Sequence, residues 1–416
     1  MAFRNTSAAV DVCRAASPRW TVFSRDLAPE LSFSIHTDLA AIEGEWRRFE
    51  RLAEGTPFQT FEWLAMWHRH IGTRSGVVPA IAIGRFADGK TACLLPLAIE
   101  SRRSVRRLCW LGQDLCDYTA PLLARDFSQR VAPGHFVALW RELLKQMQAD
   151  PRLRHDWIDF EKMPQTVGVQ VNPFTQIGVT PNANGAHIAQ IGDDWEAFYR
   201  SRRSSATRRR DRIKRKRIAE FGEIRFVTAA SADDARLTLE SLMEQKSRAL
   251  ARKGIADMFA RPGYREFFLD FASNPATRQL AHVSRIEVGT TLAAANFAIA
   301  FGDCYYHILS SYCDGQLTRL GPGTLHLREL MAYAIKLGLR RFDFTIGDER
   351  YKSEWCDLRM KLYDYSAAAT WRGWPASAAA KVHRRLKRFI KQTPLAWHFV
   401  SRLRSAVGAL AQPRTP

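Results

Sequence analysis

The chain has 416 residues, 46% of them hydrophobic, and carries 62 Lys plus Arg against 42 Asp plus Glu for a formal net charge of +20. That length and apolar content support two or three packed domains and exclude wholesale disorder. No window approaches the roughly 20 uninterrupted apolar residues of a spanning helix; the nearest, Leu292–Phe301, is closed off by Gly289 and Gly302.

Met1–Trp20 has no apolar h-region, so it reads as a frayed tail rather than a secretory signal. Periodicity then predicts a strand at Leu31–His36 and helices at Asp38–Ala53 and Phe61–His70. Strands follow at Pro79–Ile83, Thr91–Ile99 and Val105–Leu111, then a long loop, a helix at His135–Met147 and a strand at Trp157–Glu161. The second half repeats the order. It has a strand at Glu223–Thr228, helices at Ala232–Ala249 and Tyr264–Ala272, and strands at Ala281–Val288, Thr291–Phe301 and Cys304–Tyr312. A helix at Thr324–Leu337 and a strand at Arg341–Thr345 complete it. Short echoes sit at matching places: Gly89-Lys90-Thr91 with Gly289-Thr290-Thr291, and Trp157-Ile158-Asp159-Phe160 with Arg341-Phe342-Asp343-Phe344. Their shared order points to duplication.

Gly84–Thr91 satisfies the Walker A pattern in full, yet a phosphate-binding loop must run from a buried strand into a helix. Thr91 leads instead into Ala92–Leu97, where Pro96 opposes a helix, and Asp88-Gly89 reads as a hairpin turn. The seven cysteines are scattered without a C-x-x-C pair. They argue against a disulfide framework or structural zinc and fit a reducing cytoplasm.

The charge sits in two segments. Arg200–Arg217 holds eleven basic residues and one acid, and the chain beyond Asp364 holds ten basic residues and no acid, leaving the remainder neutral. The first run gains most from phosphates or carboxylates nearby. In the second, Val382, Leu386, Phe389 and Ile390 form one stripe and Val400, Leu403, Val407 and Leu410 another. This pattern fits either an interfacial helix drawn to an anionic membrane or a terminal helix packed on the preceding domain.

The element order resembles that of the GNAT acyltransferases, and two copies in tandem resemble the Fem peptidoglycan aminoacyl ligases and, more closely, the CelD-like acetyltransferases of cellulose and exopolysaccharide biosynthesis. The carriers are Pro57-Phe58-Gln59-Thr60-Phe61-Glu62-Trp63, Asp117-Tyr118, Gly321-Pro322-Gly323 and Gly347-Asp348-Glu349-Arg350-Tyr351-Lys352-Ser353-Glu354-Trp355. The resemblance implies an α/β (α+β) fold. Residues 1–28 would be a tail, 29–190 a first, degenerate GNAT-like domain, 191–371 a second that binds acyl-CoA, and 372–416 a basic helical tail.

It also implies an acyl-CoA pyrophosphate site at Arg319, Gly321, Gly323 and Thr324, where glycines let backbone N–H groups approach an anion and Thr324 is expected to cap the helix. Lys352 would stabilise developing negative charge, and Asp117 or Asp348 would take the amine proton. Tyr118, Tyr351, Trp355, Arg208 and Arg212 are the expected acceptor-binding side chains. The reading is an N-acyltransferase using acetyl-CoA or another acyl-CoA, without metal, on an amino group of a sugar or polysaccharide or cell-envelope precursor, the acceptor being a small molecule or a lipid-linked sugar. It is expected in the cytoplasm, at the inner membrane face. An aminoacyl-tRNA-dependent transferase and a non-catalytic adaptor for anionic polymers or membranes remain as alternatives.

Overall fold

The computed structural model describes residues 31–102, 104–347 and 349–393. The expected tail Met1–Trp20, the second C-terminal stripe and Asp348 therefore lie outside the described residues. The first lobe contributes strands β1 (Ser32–His36), β2 (Val78–Arg85), β3 (Thr91–Arg102), β4 (Val105–Trp110) and β5 (Trp157–Pro164). Next come β6 (Thr180–Gln190) and the second lobe's β7 (Ile224–Thr228), β8 (Ala281–Val288), β9 (Thr291–Phe301), β10 (Cys304–Tyr312) and β11 (Arg341–Ile346), and finally β12 (Leu358–Ala368). All lie in one mixed sheet, in the order β1-β2-β3-β4-β5-β12-β6-β11-β10-β9-β8-β7, with the short strand Leu122–Leu123 paired to β3.

The duplication read from the sequence appears in the pairing. Each lobe is an antiparallel meander closed by a parallel pair, β4 with β5 in one and β10 with β11 in the other. The sequence reading missed β6 and β12, which join the lobes. β6 follows the first lobe in the chain yet pairs with β11, and β12 follows the second lobe yet pairs with β5. The two also pair with each other, antiparallel.

Helices α1 (Leu39–Glu50), α2 (Phe61–Trp67) and α3 (Pro133–Ala149) belong to the first lobe. Then come α4 (Trp195–Arg202), α5 (Ser205–Ala219), α6 (Ala232–Arg252), α7 (Tyr264–Ser273), α8 (Pro322–Lys336) and α9 (Trp374–Gln392). The Pro57–Trp63 segment is an inter-lobe plug. Thr60 caps α2, and Gln59 Nε2 donates to the Tyr118 carbonyl at 2.8 Å. The Trp63 ring meets Phe267 and Phe271 of α7 edge-on, with centroids 4.8 and 5.2 Å apart. Phe58 touches Trp63, Tyr118 and Tyr306 in the same manner. Such pairs add about 0.5–1.5 kcal/mol each beyond the area they bury, so the lobes share one apolar core.

The Walker-like stretch is the hairpin between β2 and β3. Gly89 takes φ +79°, Phe86 N donates to Lys90 O at 2.9 Å, and no helix follows. The basic run forms α4 and α5, broken at Ser204, which caps α5. Part of its charge is structural: Arg202 pairs with Asp357, Arg203 with Glu354 and Arg215 with Glu329.

Helix α9 packs on β5, β6 and β12 through a polar face. Arg384 lies 2.7 Å from Asp159, 2.8 Å from Glu161 and 3.7 Å from Asp364. Burial pushes the Asp159 and Asp364 carboxyls up, and the Arg384 guanidinium opposes this. Arg384→Leu should therefore lower unfolding stability by about 3 kcal/mol in urea melts, because it takes the shared cation from Asp159 and Asp364, leaving Arg107 alone on the first and Asn182 and the Lys162 N–H on the second.

Candidate active site

The parallel strands β10 and β11 are bonded only at Cys304–Arg341, Tyr305–Phe342 and Tyr306–Asp343, and beyond that point they part. At the divergence β11 breaks register with β6 between Asp343 and Ile346, and Thr345 adopts φ +57°. Left-handed backbone at a β-branched residue costs of order 1–3 kcal/mol and marks a conformation imposed by its surroundings.

A pocket of about 280 Å³ opens beside this gap. One wall is the far end of β10, with His307, Ser310 and Tyr312; another is the first turns of α8, with Gly321, Gly323, Thr324 and His326; Tyr351 lines it as well. Gly321, in the left-handed region at φ +75°, is the N-cap of α8, with Pro322 at the first helical position. The helix thus begins earlier than expected, and Thr324 is its third residue rather than its cap. The N–H groups of Thr324 and Leu325 donate to Gly321 O at 3.1 and 3.2 Å, whereas no backbone carbonyl among the described residues accepts from Gly323 N–H. A side chain at Gly323 would approach Tyr312 at 3.2 Å, so glycine keeps this turn open to the pocket.

Charged groups from both lobes meet at the mouth of the gap. Lys352, 4% exposed, donates to the Ile346 carbonyl at 2.9 Å and pairs with Glu349 at 3.0 Å. Burial works against the Glu349 carboxylate, but the Lys352 ammonium holds it below its ordinary value. Asp117, half-buried after β4, is raised by burial and partly restored by Lys162, a hydrogen bond from Thr345, and Lys352. Asp343 is buried and accepts from Tyr118 OH and from Thr345 N, both at 2.7 Å. Burial pushes it up to about 7 despite these donors. His307 is held neutral, pushed down to about 3 by burial and by Lys352 and Lys246. Burial also depresses Lys246, which donates to the Ser310 carbonyl at 3.4 Å.

Of the expected site residues, Lys352, Asp117, Tyr351, Gly321, Gly323 and Thr324 come together here. Tyr118 is adjacent, but its hydroxyl is committed to Asp343 and its ring to Phe58. Trp355 is fully buried under Arg203 and stacks with Trp195, Phe198 and Tyr199, so it is core rather than open surface. Arg319 is exposed and outside the pocket. Arg208 and Arg212 lie on α5, apart from it. On the same helix Lys214 and Arg215 line a narrow cleft against Gly321 and Thr324. Asp343, His307 and Lys246 escaped the sequence reading. The echo of Asp159 in Asp343 was the available signal. Among the described residues no group of three or more His, Cys, Asp or Glu side chains is placed to hold a metal ion.

The family described as acetyltransferase (GNAT) domain matches residues 205–353, which contain α5 through the Lys352 turn. None of the curated proteins is a significant match. Among solved structures, FemX is similar over 81% of this chain and 97% of its own, at 12% identity and a TM-score of 0.55. A protein of unknown function from Bacteroides thetaiotaomicron is similar over 81% of this chain and all of its own, at 10% identity and a TM-score of 0.50. At such identities the likeness concerns the fold. The stretch 205–353 thus matches a GNAT acetyltransferase domain, and the two lobes repeat one pairing order, a meander closed by a parallel pair.

The raised Asp343 sets a pH signature. The folded protein keeps this proton up to about 7, while the ordinary value is 3.8. Its contribution to stability is therefore full below that ordinary value and is lost as pH rises through the folded one. The melting temperature of Asp343→Asn relative to the parent should accordingly rise between about pH 5 and about pH 8. A constant difference would show that folding does not raise this carboxyl above its ordinary range.

Proposed function

We propose that the protein is an N-acyltransferase that takes its acyl group from acetyl-CoA or another acyl-CoA and delivers it to an amino group of a sugar or cell-envelope precursor. The observation that carries this reading is the separation of β10 from β11 beside the Gly321–Thr324 turn. It leaves unpaired strand edge, a free Gly323 N–H and a helix N-terminus facing one pocket. These residues fit the donor: the turn and helix N-terminus suit the pyrophosphate, and β10 from Ser310 to Tyr312 suits the peptide-like arm that follows it. Lys214, beside the same turn, adds positive charge, whereas Arg215 there is already paired with Glu329.

In this reading Lys352 faces the negative charge that develops on the carbonyl oxygen as the amine attacks. Its bonds to Ile346 O and Glu349 hold the ammonium in place beforehand. The proton leaving the amine goes to a carboxylate between the lobes. Asp117 is the accessible one, and Asp343, raised to about 7, lies behind it. As the tetrahedral adduct collapses the thioester C–S bond breaks, and a carboxylate poised near neutrality is suited to accept the amine proton and release it to the departing CoA thiolate. Aminoacyl-tRNA is the competing donor, favoured by the exposed cations Arg209, Arg212 and Lys216 on α5, which have no ion pair among the described residues.

Gly323→Val should weaken acyl-CoA binding in calorimetry while the protein still melts cooperatively, since Gly323 has ordinary helical backbone and a Cβ added there meets the Tyr312 side chain alone. Unchanged affinity would remove the donor from this turn, and tight binding of charged tRNA without acyl-CoA binding would favour the competing donor. Once an acceptor is in hand, Lys352→Ala should lower kcat roughly a hundredfold with a smaller change in donor affinity.

A further inference from the structure

Helix α9 is packed the wrong way round for an ordinary surface helix. Its polar side lies against the sheet, where Ser377 is buried against Ser366 and Arg384 neutralises Asp159 and Asp364. Its apolar side faces outward. Val382, Leu386 and Phe389 are 63%, 55% and 62% exposed, and Trp374, on the same face, is 67% exposed. Trp371, in the preceding turn, is 85% exposed and continues the stripe. A surface helix of a globular protein normally buries such a stripe. Rolling α9 over would remove the Arg384 guanidinium from Asp159, Glu161 and Asp364 and the Ser377 hydroxyl from Ser366, which holds the stripe outward.

The surroundings of the stripe identify what suits it. Lys381, Arg385 and Lys387 are exposed along its borders and have no ion pair among the described residues. No acid occurs anywhere after Asp364. We infer that α9, with Trp371, is a docking face for an anionic lipid bilayer. The helix lies flat, with its apolar residues among the acyl chains and its cations among the headgroups. Two tryptophans at one end suit the boundary between water and hydrocarbon. Two copies joined through this stripe would bring the same cations together with no acid to offset them. The chain's own residues 394–416 would add Arg402, Arg404 and Arg414, again without an acid. Lipid phosphates supply the missing charge. No described helix is long and apolar enough to cross the membrane, so the contact is with its surface.

Co-sedimentation of the full-length protein with vesicles of phosphatidylcholine alone, or mixed with an equal amount of phosphatidylglycerol, tests this. The protein should bind the mixed vesicles and scarcely the neutral ones, and added salt should weaken the attraction. Leu386→Glu with Phe389→Glu should lower partitioning at least about tenfold. Arg385→Gln with Lys387→Gln should lower it about fivefold per charge. Both variants should melt as the parent does, because the altered side chains face outward. Absence of binding by the parent, or undiminished binding by the glutamate variant, overturns the inference. So does a melt lowered by many degrees in that variant, which would mean the stripe is covered by the chain itself, or a parent dimer that the variant splits without any affinity for vesicles.

Discussion

The hydrogen bonding of β6 to β11 on one edge and to β12 on the other ties the two lobes into a single sheet. Each lobe ends in a parallel pair whose outer edge would otherwise be open, and each closes that edge with a strand from the far side of the other. Neither strand can leave without uncovering a ladder of backbone groups, which is costly away from water. The lobes are therefore held in one relative position. The aromatic plug around Phe58 and Trp63 adds side-chain contact to this backbone connection, on the side where Asp117 and Tyr118 reach the second lobe.

The site follows from that arrangement. Because β6 takes one edge of β11, β11 can leave β10 after Asp343 without losing its place in the sheet. The departure is concentrated at Thr345, whose left-handed backbone brings its N–H onto the Asp343 carboxylate. The gap collects charge from both halves of the chain: Asp117 from the first, and Asp343, Glu349, Lys352 and Lys246 from the second. Burial raises Asp117 and Asp343 and depresses Lys246, while Lys352 holds Glu349 below its ordinary value; the first three are thereby moved toward neutrality. The N-terminus of α8 lines the same pocket, and under the proposed function it would take the donor's pyrophosphate.

Much of this was legible in the sequence. Alternating apolar residues announced the meanders, the Asp159 and Asp343 echo announced the repeat, and the failed context of Lys90 and Thr91 announced a hairpin. The strands that join the lobes were hidden for a physical reason. In β12 the inward side chains include Asp364 and Ser366, whose partners Arg384 and Ser377 lie on a helix far along the chain, so the buried face does not read as apolar. In β6, Asn182, Asn184 and Gly185 read as a loop until Asn182 is seen to donate to Asp364 at 2.7 Å. The stripe on α9 was visible, but its direction was not, because the polar contacts of Ser377, Arg384 and Arg388 decide which side faces the sheet. Asp343 was missed as a site residue because its environment comes from Tyr118, in the other lobe.

Amide hydrogen exchange of the full-length protein, with and without saturating acetyl-CoA, reads the placement of the donor most directly. Binding in the gap between β10 and β11 predicts slowed exchange at Ser310–Tyr312 and at Gly323, with the hairpin amides from Phe86 to Thr91 unchanged. Slowed exchange at that hairpin instead, or no change at Gly323 in protein shown by calorimetry to be saturated, would contradict it.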